Sequence, residues 1–268
     1  MERETEARDG VRCRRVGAVA VVELDRPPGN ALDAAMRRAL LAALAEVAAA
    51  GAAVRAVLLA GRGGAFCVGQ DLREHAAALE EGAEAAFACV AAEYNPLVTA
   101  LQAVRQPVVV AVDGACVGAG LGLALAGDVR VVGRDARFAT AFTGVGLAAD
   151  SGLSCSLARA VGPARARALF LLGDRFGAEE ALTWGLAQAV VPAGTAGAEG
   201  LALAERLAAG PTAAFAEVKE LFRAGGEAGL PAVLAREAAA QTRLGGTADH
   251  RAAVAAFLAR ERPTFEGR

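Results

Sequence analysis

One carboxylate stands apart in this chain. Asp150 follows the uncharged run FTGVGLAA and precedes SGLSCSLA, and no other charged residue lies between Arg137 and Arg159. A carboxyl group in aliphatic surroundings loses hydration, its pKa rises, and it becomes a better proton acceptor near neutral pH. The same position also suits a helix N-cap, because helical spacing begins at about Ser151. Upstream, PVVVAVDG (107–114) reads as a buried strand, and CVGAGLGLALAGD (116–128) turns from small residues into a helical pattern. Small residues permit close backbone approach, and a helix N-terminus presents unpaired N–H groups to whatever binds there. Proton transfer beside such donors is the chemistry these types and spacings could perform.

Other chemistries are less well served. Ser151 and Ser154 lie near Asp150, but the chain has no Gly-x-Ser-x-Gly elbow, and His75 and His250 have no recognisable triad partner. His75 is expected on a solvated helix face with Arg73 and Glu74. Gly118-Ala119-Gly120 is followed by Leu123 where a dinucleotide fingerprint needs Gly. Five scattered cysteines without a Cys-x-x-Cys pair, and two histidines, argue against a zinc site. Cys67 reads as a small buried thiol, and Trp184 as a packing residue.

The 268 residues are 55% hydrophobic but only 4% aromatic, so Leu, Val and Ala must build the core. A net charge of −2 and no basic block give no footprint for nucleic acid or a membrane surface. The absence of a long apolar run or an apolar signal core suggests a cytoplasmic protein with reduced thiols. Residues 1–10 read as a disordered tail.

The elements that must position these residues can be read in order. Val11 to Leu24 is a hairpin turning at Gly17. Asp33 caps a helix to about Ala50, and Val54 to Leu59 is a short strand. Asp71 to Gln106 is helical, weakened at Gly82 and restarted by an Asn95-Pro96 cap. Asp128 to Val132 and Ala189 to Pro192 are strands, with helices between them. Ala193 to Gly200 reads as a flexible turn, and the remainder to about Arg260 is helical. Alternating elements followed by helices give an α/β core with an all-α C-terminal part.

LDRPPGNALD (24–33), AFCVGQDL (65–72), the 107–129 stretch, FTGVGLAADSG (142–152), ALTWGLAQAVV (181–191) and RPTFEGR (262–268) together resemble the enoyl-CoA hydratase/isomerase, or crotonase, family. The resemblance covers nearly the whole chain and implies an α/β spiral of repeated ββα units over 11–195. It also implies a helical C-terminal region over 196–268 that builds a homotrimer or a hexamer of two trimers. Acyl-CoA thioesters would be the substrates, with CoA part of the substrate and no separate cofactor or metal.

The same resemblance implies an oxyanion hole made by the backbone N–H groups of Gln70 and Ala119, with Asp150 as acid and base. Arg26, Ala31, Val68, Gln70, Asp71, Leu72, Arg73, Ala119 and Phe142 would line the substrate site, Arg26 near the CoA phosphates. Phe257 and Arg260 are the kinds of residue that would reach CoA from a neighbouring subunit. The family's hydratases use two glutamates, which fall here at Gly122 and Phe142, so an isomerase is expected over a hydratase. FCVGQDL, EYNPLV (93–98), FATAF (138–142) and GLAADSG are similar to the 2-(1,2-epoxyphenyl)acetyl-CoA isomerases of phenylacetate breakdown. Leu153 and Val68 replace smaller residues of that subgroup and are expected to reshape the acyl pocket. An atypical hydratase or dienoyl-CoA isomerase, and a non-catalytic acyl-CoA binder, are the competing expectations.

Overall fold

The computed structural model describes residues 7–226 and 228–268. The tail expected over 1–10 therefore lies outside the described residues as far as residue 6. Arg8 and Val11 form an antiparallel bridge, and Gly10 O accepts from Asp25 N–H at 2.8 Å, so the chain just before the hairpin is tied down.

The hairpin β1 (Val11–Val16) and β2 (Val19–Leu24) turns at Gly17, as the sequence predicts. Helix α1 (Ala34–Ala49) starts where Asp33 accepts from Met36 N–H at 2.8 Å. β3 (Ala56–Gly61) begins two residues later than expected, because Gly51–Ala53 forms a 3₁₀ turn. β4 (Ala65–Cys67) leads to α2 (Leu72–Glu80) and α3 (Ala83–Cys89). A π-helical turn, Val90–Tyr94, joins α3 to α4 (Asn95–Ala103). Asn95 is therefore helical and not a cap. The wider turn accompanies Tyr94, which is fully buried beneath the Arg37 guanidinium, 4.9 Å from the ring centroid.

β5 (Val108–Val112), β6 (Ala115–Val117) and α5 (Ala119–Ala126) come next, then β7 (Val129–Gly133) and β8 (Arg137–Ala139). α6 (Leu153–Val161) and α7 (Pro163–Leu172) precede β9 (Phe176–Gly177), α8 (Ala178–Thr183) and β10 (Ala189–Val191). The helices α9 (Ala196–Ala208), α10 (Thr212–Gly225), α11 (Leu230–Gly245) and α12 (Ala248–Ala259) finish the chain.

β1 and β2 both join a large sheet, β1-β2-β3-β5-β7-β10, whereas each later pair gives one strand to it and one to a small sheet, β4-β6-β8-β9. From β2 onward the large sheet is parallel, which buries both its faces. Alternation along the strands sorts the residues. Val57, Leu59, Val108, Val110 and Val112 face the main core with α1 and α4, whereas Leu58, Val109 and Ala111 face α9. A Cβ on Gly200 would meet Leu58 at 3.0 Å and Ala111 at 3.1 Å. Residues 193–195 do turn, but Ala196 to Gly200 start a helix packed closely on the sheet in place of the rest of the expected flexible turn. Thus the first helix of the predicted C-terminal region covers the core. Among the described residues no helix is long and apolar enough to cross a membrane, and no cluster of three or more His, Cys, Asp or Glu could hold a metal.

Candidate functional site

Parallel strands end on the same side of a sheet. β4 and β6 are parallel neighbours with Cys67 opposite Cys116, so the turns that follow them meet: Gly69-Gln70 before α2 and Gly118-Ala119 before α5. Missing side chains set how close they come. A Cβ on Gly69 would sit 3.0 Å from Val117 O and 3.4 Å from Ala119 N, and one on Gly120 would sit 2.3 Å from Cys67 O. Gly69 at φ +91° and Gly118 at φ +56° also hold conformations that L side chains resist.

This junction leaves two donors unused. Gln70 and Leu32 form a parallel bridge in which Leu32 N–H donates to Gly69 O and Asp71 N–H donates to Leu32 O, so Gln70 N–H points away from that partner. Ala119 is the first residue of α5, where no carbonyl lies one turn back. Among the described residues neither N–H finds an acceptor. Ala119 is absent from the residues of positive φ, so its side chain imposes no strain there.

Both turns face a cavity of about 920 Å³. Every site residue expected from the sequence lines it: Arg26, Ala31, Val68, Gln70, Asp71, Leu72, Arg73, Ala119, Phe142 and Asp150. The carboxylates in its wall are Asp71 and Asp150, and they differ. Asp71 caps α2, accepting from Arg73 N–H and Glu74 N–H, and pairs with Arg26 at 2.7 Å. Burial opposes its charge, but these partners outweigh burial and hold its carboxyl below the ordinary range. Asp150 is half-buried and accepts a single hydrogen bond, from Ser151 Oγ at 2.7 Å. Burial raises its carboxyl above the ordinary value despite that bond. Its side chain does not cap α6. Asp150 supplies its carbonyl to Leu153 N–H, and Gly152 holds the cap in a left-handed conformation.

The Arg26 guanidinium is already occupied, by Asp33 at 2.8 Å, Asp71 at 2.7 Å and Ala31 O at 3.0 Å. The cation expected at this position is one member of a cluster with two carboxylates. Arg73 is exposed on the cavity wall, with no ion pair among the described residues.

The two positions that correspond to hydratase glutamates are built differently from each other. A Cβ on Gly122 would lie 2.7 Å from Ser151 Cβ and 3.0 Å from Ser151 O, so no side chain fits there without moving the segment that carries Asp150. Phe142 fills its own position with a buried ring that lines the cavity and tilts against Phe170, 6.5 Å between centroids. Leu153 does not reshape the pocket as expected, because it is fully buried in the main core and is not a lining residue. Val68 does line the cavity and is partly exposed, packed against Gly29. Cys67 is buried, and burial pushes its thiol up to about 12, so it is a packing group. Trp184 packs on Phe176 and lies under Arg165, outside the cavity.

The sequence missed His75. It is not on a solvated face but half-buried in the cavity wall, its ring edge-on to Phe87 at 5.1 Å. Leu79, Phe87, Val145 and Leu147 complete this apolar side. Helical spacing does bring 72, 75 and 79 to one face of α2, but the short segment carries no apolar stripe that would mark the face as inward.

The sequence profile described as Enoyl-CoA hydratase/isomerase matches residues 14–268. A Rhodobacter capsulatus protein provisionally named enoyl-CoA hydratase is 47% identical over 251 residues, 93% of this chain and 95% of that one. The 1,2-epoxyphenylacetyl-CoA isomerase of Escherichia coli is 38% identical over 215 residues, 80% and 82% of the two chains. A crystal structure from Mycobacterium abscessus, provisionally described as an enoyl-CoA hydratase/isomerase, is 51% identical, covers 100% of both chains and gives a TM-score of 0.91.

Proposed function

The chain belongs to the enoyl-CoA hydratase/isomerase family and has its crotonase fold; within that family, whose members act on acyl-CoA, we propose that it is an isomerase working through one carboxylate. The observation that carries this reading is the contrast between the two lining carboxylates. Asp71 is held by Arg26 and by the start of α2, which leaves Asp150 as the lining carboxylate able to move a proton.

In the proposed reaction the N–H groups of Gln70 and Ala119 hold the thioester oxygen. Asp150 takes a proton from the carbon beside the carbonyl. The C–H electron pair enters the new enolate double bond, and negative charge settles on the held oxygen. Such preorganised donors are worth about 3 kcal/mol each, because charge develops where they already point. Asp150 then returns its proton to the γ-carbon, the electrons flow back through the conjugated system, and the double bond has moved by one position. Nothing is oxidised or reduced, and CoA enters and leaves as part of the substrate, so the reaction needs no separate cofactor. The apolar wall suits 3-enoyl or aryl-acyl groups, and the Escherichia coli relative's name adds an epoxide-bearing acyl group to the candidates. The exposed apolar residues Phe222, Leu230, Phe257 and Leu258 on α10–α12 support assembly as a homotrimer or a pair of trimers.

The name of the Rhodobacter relative favours hydration as a second reading. Adding water needs a base for water and an acid for carbon. The crowding of Gly122 by Ser151 and the ring at Phe142 oppose a pair of carboxyl groups at those two positions. The test is solvent exchange in deuterated water with 3-enoyl-CoA and 2-enoyl-CoA. Wild type should shift the double bond, with deuterium entering the α and γ carbons whenever Asp150 exchanges its proton with solvent between the two transfers, and Asp150→Asn should lose the shift by about 10²–10⁴-fold while still binding acyl-CoA. An equal double-bond shift by both proteins sinks the reading. Binding without a double-bond shift or exchange by either makes the chain an acyl-CoA binder.

A further inference from the structure

We propose that His75 sets acyl specificity by donating a hydrogen bond from Nε2–H to an oxygen carried on the acyl group. The inference rests on the acyl-CoA reading above and adds a residue to it. The direction of donation follows from a short chain of contacts. Cys89 Sγ donates to Ala86 O at 3.5 Å, so its sulfur is left to accept. Gln70 Nε2 donates to that sulfur at 3.7 Å and lies 3.3 Å from His75 Nδ1. An amide NH₂ cannot accept, so Nδ1 is the acceptor and the ring proton sits on Nε2. Among the described residues Nε2–H has no partner.

The ring that carries this unused donor lines the cavity, with Phe87 against it and Leu79 one turn on. The cluster also lies on the reacting side. Gln70, whose side chain meets the His75 ring, carries one of the two free N–H groups in its own backbone. A purely hydrocarbon acyl group seated here strips water from Nε2–H and returns nothing. An acyl group with a hydroxyl, oxo or ether oxygen at the right reach satisfies it. A site built to hydrogen-bond a group discriminates against the analogue that lacks it, because its own polar atom is then left unpaired.

The test is calorimetric binding of octanoyl-CoA against octanoyl-CoA hydroxylated at C5, C6, C7 or C8, on wild type and on His75→Phe. Phenylalanine keeps a ring against Phe87 and removes both nitrogens. Wild type should bind at least one hydroxylated chain about tenfold more tightly than octanoyl-CoA, and His75→Phe should bring that ratio near one. The ratio is taken within one protein, so a loss of folded variant cancels. A wild type without preference, or a preference that survives His75→Phe, overturns the proposal. If the preference is present and an Asp150-dependent double-bond shift is not, the isomerase reading fails and this one stands. If the shift is present and the preference is not, His75 loses its role and the isomerase reading stands. If no acyl-CoA binds, both fall.

Discussion

The cavity has two walls made by different means. One is main chain: the Gly69-Gln70 and Gly118-Ala119 turns, pressed together because Gly69 and Gly120 carry no side chain to keep them apart, while Gly118 supplies a φ of +56°. The other is side chain: Asp150, His75, Phe142 and Phe87 projecting from segments that pack elsewhere. A backbone wall is indifferent to the side chains that point away from it and intolerant of a methyl group between its turns. A side-chain wall tolerates replacement structurally and changes its chemistry with each one. One fold can therefore keep an oxygen-binding geometry while its reaction and substrate vary.

Gly120→Ala should break the first wall and have the largest effect. Alanine is worth about 1 kcal/mol more than glycine in a helix, so propensity alone predicts stabilisation. The new methyl group would lie 2.3 Å from Cys67 O and 2.8 Å from Cys67 Cβ, in two segments fixed by the small sheet. The expected net cost is about 3 kcal/mol, in the range of core overpacking, read as a lower urea midpoint. Acyl-CoA turnover should fall further than stability, since separating β4 from α5 separates the two N–H groups. A variant as stable and active as wild type would show that the turns are not held by contact.

Asn30→Gly is a milder attack on the same wall. Asn30 is fully buried at φ +55°, and its Nδ2 donates to Arg62 O, Ala65 O and Phe66 O, while Oδ1 accepts from Arg26 N–H. Glycine keeps that backbone conformation without strain, so the substitution removes the amide alone. Leaving these groups unpaired should cost about 2 kcal/mol by urea unfolding. A cost near zero would mean that water replaces the amide.

The two walls also differ in how far the sequence discloses them. The backbone wall was legible, because Gly-rich turns placed after short β-rich runs leave a mark in residue type, and the ordered resemblance put Gln70 and Ala119 there. The sequence brings Arg26 to the cavity wall but does not disclose its partners, since Asp33 and Asp71 are 7 and 45 positions away and only the folded chain brings them together. His75 was missed because charged Arg73 and Glu74 beside it suggest solvent. Glu74 is in fact spent on Arg37, a buried residue of α1, at 2.8 Å, so this part of α2 packs against the protein. The start of α9 was missed for a related reason: the Gly and Ala that mimic a loop are what tight packing on a sheet requires.

On the side-chain wall, the smallest effect expected is a gain in stability when Asp150 is changed. Its carboxyl titrates above the ordinary value of 3.8 because burial penalises the charged form. The folded state therefore holds its proton more tightly than the unfolded chain. The stability linked to this proton is fully present below the unfolded pKa, and it is lost as pH rises through the folded one. At neutral pH the wild type thus carries a buried charge that Asp150→Asn does not. The variant should be slightly more stable at pH 7 by thermal unfolding, and the difference should close as pH falls towards the ordinary aspartate range. In kcat/KM the same shift should place the acid limb of wild type above pH 3.8. A variant that is less stable at pH 7 would assign Asp150 to the first kind of wall, as part of the scaffold through Ser151 Oγ. A variant that is more stable and inactive would fit a carboxylate kept at a stability cost because the reaction uses it.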